Sequence, residues 1–166
     1  MAVDIVMLNE AERRFFDDLE RLIPKLLRDA QLRHDPDNGM AIIEVIPPSG
    51  DRDLSLRFWI DGEDTERNLA FGPWQTHESL FLEDTQLGSP GESFVAVVQA
   101  IVDDKIVLVE DLDEDFGDYQ TALDLRQTDS LTDHLSSPFS SDHIRLHSWT
   151  GTADRELRNP AIAAVA

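Results

Sequence analysis

In "DLDEDFGDYQTA", residues 111–122, Asp111, Asp113 and Asp115 fall at the alternating positions that open a calcium-binding EF-hand loop. The rest of the pattern fails. Phe116 stands where the sharp turn needs glycine, and Ala122 stands where a bidentate glutamate must close the coordination shell. The run is therefore expected to be a solvated acidic turn between two strands, with its aspartates offered to a partner and not to an ion. Histidine is the next candidate. On an extended strand His143 and His147 point the same way but stand ~13 Å apart at ~3.3 Å per residue, too far to share one metal. Either could join His77 and Glu78 in a mixed site with an open position for water, and this defines a metal-dependent hydrolase as the alternative reading. No complete ligand set can be read, so no metal or cofactor is expected. No serine or threonine sits in a G-x-S-x-G or S-x-x-K frame. The chain has no cysteine, which excludes disulfides and thiol chemistry.

The tryptophans carry a different kind of information. Trp59 lies on the polar side of an alternating segment, and Trp74 and Trp149 fall in turn-rich stretches. Such residues are either packed under another element or shown to a partner. Trp74 sits in "GPWQTHESLF", residues 72–81, where a Gly-Pro corner is followed closely by Thr76, His77 and Glu78.

The elements that must position these residues follow from hydrophobic spacing. From Asn9 the chain places Phe15, Leu19, Leu22 and Leu26 on one helical stripe, with Asn9 and Glu12 in capping-box spacing and Pro24 expected to kink the helix or begin a second segment. "HDPDNG" reads as a loop and "MAIIEVIPP" as a strand that Pro47 stops. Leu54, Leu56, Phe58 and Ile60 alternate on one face of the next strand and are expected to pack on the stripe of the first helix. Asp61-Gly62 signals a hairpin, and Leu69 and Phe71 continue the face on the returning strand. Ser89, Pro90 and Glu92 mark the start of a valine-rich helix, followed by strands in "KIVLVE", "DYQTALDL" and "DHIRLHSW". The order α-β-β-β-α-β-β-β predicts an α+β fold, with a mainly antiparallel sheet of about six strands and two main helices on one face. One domain over 1–158 and a loose tail over 159–166 are expected, with residues 127–141 an irregular excursion.

Charge limits the partners. With 34 acidic and 14 basic residues the formal net charge is -20. Between Asn68 and Leu125, Lys105 is the lone basic residue against thirteen acidic ones. Phosphate backbones bind by being neutralised with Lys and Arg, so nucleic acid and anionic membrane are not expected partners, whereas a basic protein is. "MAVDIVMLNE" lacks a basic n-region, and no run of roughly 18 apolar residues occurs, so a cytoplasmic protein without a membrane span is expected. Homo-oligomerisation is left open.

"FGPWQTHESLF", the valine-rich helix running into "DDKIVLVEDL", and "HSWTGTADREL" together resemble a family of small, poorly characterised bacterial α+β proteins. In that family a Trp-His-x-His motif follows a strand and a Ser-Trp-x-Gly-x-x-Asp motif comes late. Trp74, Thr76 and His77 match the first motif, and Ser148, Trp149, Gly151 and Asp154 match the second. Gln75 stands where the family pattern has histidine, which counts against a metal-binding role for this motif. The resemblance implies an immunity-like protein that binds and neutralises a toxin. Its recognition surface would draw on Trp74, Thr76, His77, Glu78, Asp111, Asp113, Asp115, Trp149 and Asp154. A structural or oligomerisation module without a small-molecule site is the third reading.

Overall fold

The computed structural model describes residues 8–35, 40–60, 66–77, 94–112, 120–127, 131, 134 and 143–158. Helix α1 spans Glu10–Leu22 and starts as its sequence requires. The Asn9 side chain accepts from the Glu12 amide at 2.9 Å, and Glu12 accepts from the Asn9 amide at 2.7 Å. Glu12 does more than cap, because its second oxygen accepts from the Ala41 amide at 3.1 Å and so ties the helix start to a strand. The helix stops at Leu22 because Ile23 precedes Pro24 and leaves the helical region, with φ -132° and ψ 62°. A single 3-10 turn, Leu26–Asp29, then delivers the chain into strand β1, Gln31–Asp35.

Strands β2 (Met40–Val45), β3 (Leu56–Ile60), β4 (Arg67–Phe71) and β5 (Trp74–His77) follow in an antiparallel meander with β1, in the order β1-β2-β3-β4-β5. Helix α2, Phe94–Val102, leads to β6 (Ile106–Asp111), β7 (Gln120–Asp124), β8 (His143–His147) and β9 (Arg155–Arg158), a second antiparallel sheet ordered β7-β6-β8-β9. The α+β class stands, but the expected single sheet of about six strands is corrected, among the described residues, to two sheets of five and four. Strands β1, β5 and β9 are the additions. Leu54 is also reassigned, since it closes a 3-10 turn, Arg52–Leu54, ahead of β3.

One face of the first sheet builds the main core. Leu54, Leu56, Phe58 and Ile60 are all buried in the same cluster as Phe15, Leu19 and Leu26. The Phe15 ring meets Phe58 edge-on at 6.3 Å and Phe94 of α2 at 5.5 Å, so the two helices and the sheet share one aromatic contact point. Arg67 lies over the same Phe15 ring at 5.4 Å. Strand β6 is apolar on both sides because both are covered. Ile106 and Leu108 enter the main core, while Val107 and Val109 join Ile144 and Leu146 in a second, smaller one.

The Asp61-Gly62 hairpin, the Ser89 start of the second helix, most of the 127–141 excursion and the 159–166 tail fall outside the described residues. Among the described residues, no helix is long and apolar enough to cross a membrane.

Candidate functional site: a charged cleft between the sheets

The Gly72-Pro73 pair joins β4 to β5 as a two-residue hairpin loop, with Phe71 paired to Trp74. Gly72 has φ +57°, and proline at the second position holds φ near -65°, the sign pattern of a type II′ turn. Glycine is required here for space as well. A Cβ at this position would stand 2.9 Å from the Asp53 carbonyl oxygen and 3.0 Å from Leu108 Cδ1 of the other sheet. The turn is therefore wedged against the second sheet, and a polar cleft of about 630 Å³ opens beside it.

Its floor comes from the outer face of the first sheet. Glu44 and Arg57 are cross-strand partners on β2 and β3. The Glu44 side chain is 9% exposed and meets Arg33 at 2.7 Å and the Ser55 hydroxyl, which donates at 3.3 Å. Arg57 donates from Nη2 to the Gly72 carbonyl at 2.7 Å, while its Nε is buried without an acceptor. An unsatisfied buried donor costs about 1–3 kcal/mol, so this guanidinium is an energetically expensive feature of the cleft.

The opposite wall comes from β6 and β8, with β9 paired behind β8. Glu110 Oε2 lies 2.7 Å from His147 Nε2 and 3.4 Å from Arg145 Nη1. Arg145 Nη2 donates to Glu156 at 2.6 Å, and His143 Nε2 reaches the other Glu156 oxygen at 3.4 Å. Bonding from Arg145, and then from His143, holds the Glu156 carboxyl below its usual range. The bond to Glu156, reinforced by the charge of Glu110, raises Arg145 above its own. A carboxylate can only accept, so His147 carries its proton on Nε2, and its Nδ1 has no partner among the described residues.

The residues singled out from the sequence scatter around this cleft. Trp74 is half-buried against the main core at the start of β5, and Thr76 is buried at 8% exposure. His77 points to the outer face and lies 2.8 Å from Glu66. Trp149 is 3% exposed and meets Phe71 at 6.3 Å, so it is a core residue of the folded chain. Asp154 accepts from both the amide and the hydroxyl of Ser148, at 2.6 and 3.0 Å, and Gly151 turns between them at φ +77°. The Ser-Trp-x-Gly-x-x-Asp motif is thus a closed loop between β8 and β9. Asp111 belongs to β6 rather than to a turn, and it is half-buried beside His134, whose pKa burial lowers while the Asp111 charge acts to raise it. Glu78, Asp113 and Asp115 lie outside the described residues.

The hydrolase constellation includes Glu78 and so lies partly outside the described residues. His77 is engaged by Glu66 and His147 by Glu110, and among the described residues no three His, Cys, Asp or Glu side chains gather to hold a metal ion. Sequence reasoning missed Glu44, Ser55, Arg57, Glu110 and Arg145. The one local signal was Glu44, a lone carboxylate inside the apolar run "MAIIEVIPP". No protein-family model, curated protein or solved structure matches the chain.

Proposed function

We propose that this chain is a non-enzymatic cytoplasmic binding module for a basic protein, and that an immunity-like role, the neutralising of a basic toxin, is its most specific form. The observation that carries the reading is how the positive charge is spent. Arg14, Arg21, Arg33, Arg67, Arg126 and Arg145 are each paired with a carboxylate of the same chain. The net charge of -20 is thus borne by acidic groups in excess of what the described arginines neutralise. Such a field repels phosphate and speeds encounter with a cationic surface. Asp17 and Glu20 on α1 and Asp103 after α2 are exposed and suit that role.

The test begins with the product of the gene adjacent in the source genome, purified and titrated against this chain. The expected result is a complex with a basic protein whose association slows steeply as salt shortens the Debye length toward about 8 Å. Asp17→Lys, Glu20→Lys and Asp103→Lys together should slow association further, with each changing stability by no more than about 0.5 kcal/mol. A partner of neutral or acidic surface, or an on-rate indifferent to both salt and the reversals, refutes the proposal.

A further inference from the structure

Three of the guanidinium groups in this acidic chain, Arg52, Arg57 and Arg145, converge on the cleft between the sheets. Arg145 is divided between Glu110 and Glu156, but the other two are less committed. Among the described residues Arg57 has one acceptor, the Gly72 carbonyl, and a buried Nε without one. Arg52 stands exposed at the rim between Asp51 and Asp53, which are exposed as well. Among the described residues the Asp53 carboxylate is an exposed acceptor at the rim, and Glu110 meets His147 through a single oxygen.

These groups select against a ligand of one charge. A simple anion would gain Arg57 but meet Glu44, Glu110, Asp51 and Asp53, inside the field of a chain at -20. A simple cation would gain the carboxylates but meet three guanidiniums. A neutral molecule with separated charges satisfies both halves. The cavity, about 630 Å³, lies within the roughly 300–1,000 Å³ typical of small-molecule sites. We propose that the cleft is a binding site for a small zwitterion of amino-acid or dipeptide size. Its carboxylate docks on the part of the Arg57 guanidinium that lines the cleft, beside the Gly72 carbonyl that Nη2 already holds. Its ammonium is taken by Asp53 and the Glu110–His147 pair. This site does not depend on the acidic exterior that recognises a basic protein, so either proposal can fail without the other.

The experiment titrates the full chain with glycylglycine, with acetate and with ethylammonium, following backbone amide shifts by NMR. Glycylglycine should saturably shift the amides of residues 53–57, 72 and 145–147, and bind about tenfold or more tighter than either half-molecule, as expected when two charge-assisted contacts replace one. Asp53→Asn, at an exposed rim position, and Arg57→Lys, which keeps the charge but loses the fork, should each weaken binding about fivefold or more. Acetate binding as tightly as glycylglycine would make this an anion site, and ethylammonium doing so would make it a cation site. Either result overturns the proposal, as does the absence of saturable shifts at these amides. If Arg57→Lys lowers the melting temperature, Asp53→Asn and the half-molecule comparison decide alone.

Discussion

Replacing Gly72 by alanine should cost far more than replacing Gly50, although both glycines have positive φ. Gly50 has φ +80° and nothing within 4 Å of a would-be Cβ, so Gly50→Ala isolates the backbone term. That term is about 1–2 kcal/mol for an L-residue held in a left-handed conformation. It is offset by about 0.4–1 kcal/mol from the reduced freedom of the unfolded chain, leaving a loss of about 1 kcal/mol or less. Gly72→Ala carries the same two terms and adds a steric one. Its Cβ would stand 2.9 Å from the Asp53 carbonyl oxygen, and that backbone is pinned, because the next residues close the 3-10 turn and Ser55 accepts from the Gly72 amide at 3.0 Å. The second contact, Leu108 Cδ1 at 3.0 Å, belongs to a side chain 1% exposed with little room to yield. Forced overpacking of this kind costs about 1–3 kcal/mol, which puts the total for Gly72→Ala at about 3 kcal/mol. Urea unfolding of both variants measures the difference directly, and a thermal scan should show a drop of about 6–12 °C for Gly72→Ala. Equal losses in the two variants would refute the argument that the turn is wedged between the sheets.

Asp154→Ala should destabilise by about 2 kcal/mol, because Ser148 is fully buried and would lose the acceptor for both its amide and its hydroxyl. Urea midpoints measure this, and a loss below about 0.5 kcal/mol would remove the loop-closing role. Asp104→Asn tests a pH dependence. Burial works to raise the Asp104 carboxyl, but bonds from the Thr150 and Thr152 hydroxyls and from backbone amides outweigh it and hold the group below its ordinary 3.8. A depressed folded value means a stability increment that is present above that ordinary value and lost as pH falls through the lowered one. Urea midpoints should therefore drop more steeply below about pH 4 in the native chain than in Asp104→Asn, whose side chain also tolerates the φ of +56° at this position. Parallel pH profiles would overturn this.

The three strands that sequence reasoning missed, β1, β5 and β9, all lie at sheet edges. This is a physical pattern. An edge strand needs neither full apolar alternation nor length, and charged residues there block further pairing. β9, "RELR", is largely exposed, and β5 has only four residues. β1 was hidden differently, because Phe16, Ile23, Leu27 and Ala30 run the helical spacing of α1 up to the residue before it, and only the residue before Pro24 marks the break. The capping box and the alternation of β3 were readable because both are local. The cleft was not readable, because Glu44, Arg57, Glu110 and His147 come from four strands in two sheets and meet only when the Gly72 turn seats against Leu108.

The same geometry changes what the acidic run from Asn68 to Leu125 means. Read as sequence it is one field of negative charge, yet its described members do different work. Asp124 is 1% exposed and grips Arg126 through both oxygens, at 2.8 and 2.6 Å. Asp104 gathers Thr150 and Thr152 to fix the β8–β9 loop against the end of α2. Glu110 orients His147, and Asp111 is half-buried beside His134. Reversing any of these would remove a structural bond before it changed the outer field, since breaking a buried charge pair costs several times what an exposed substitution does. Asp103 is the contrasting case. It is exposed, and its described side-chain bond is from Gln99 in the last turn of α2. Its reversal should therefore reach a partner's association rate without passing through the fold, whereas Asp124→Lys should unfold the strand end first and lose binding as a consequence.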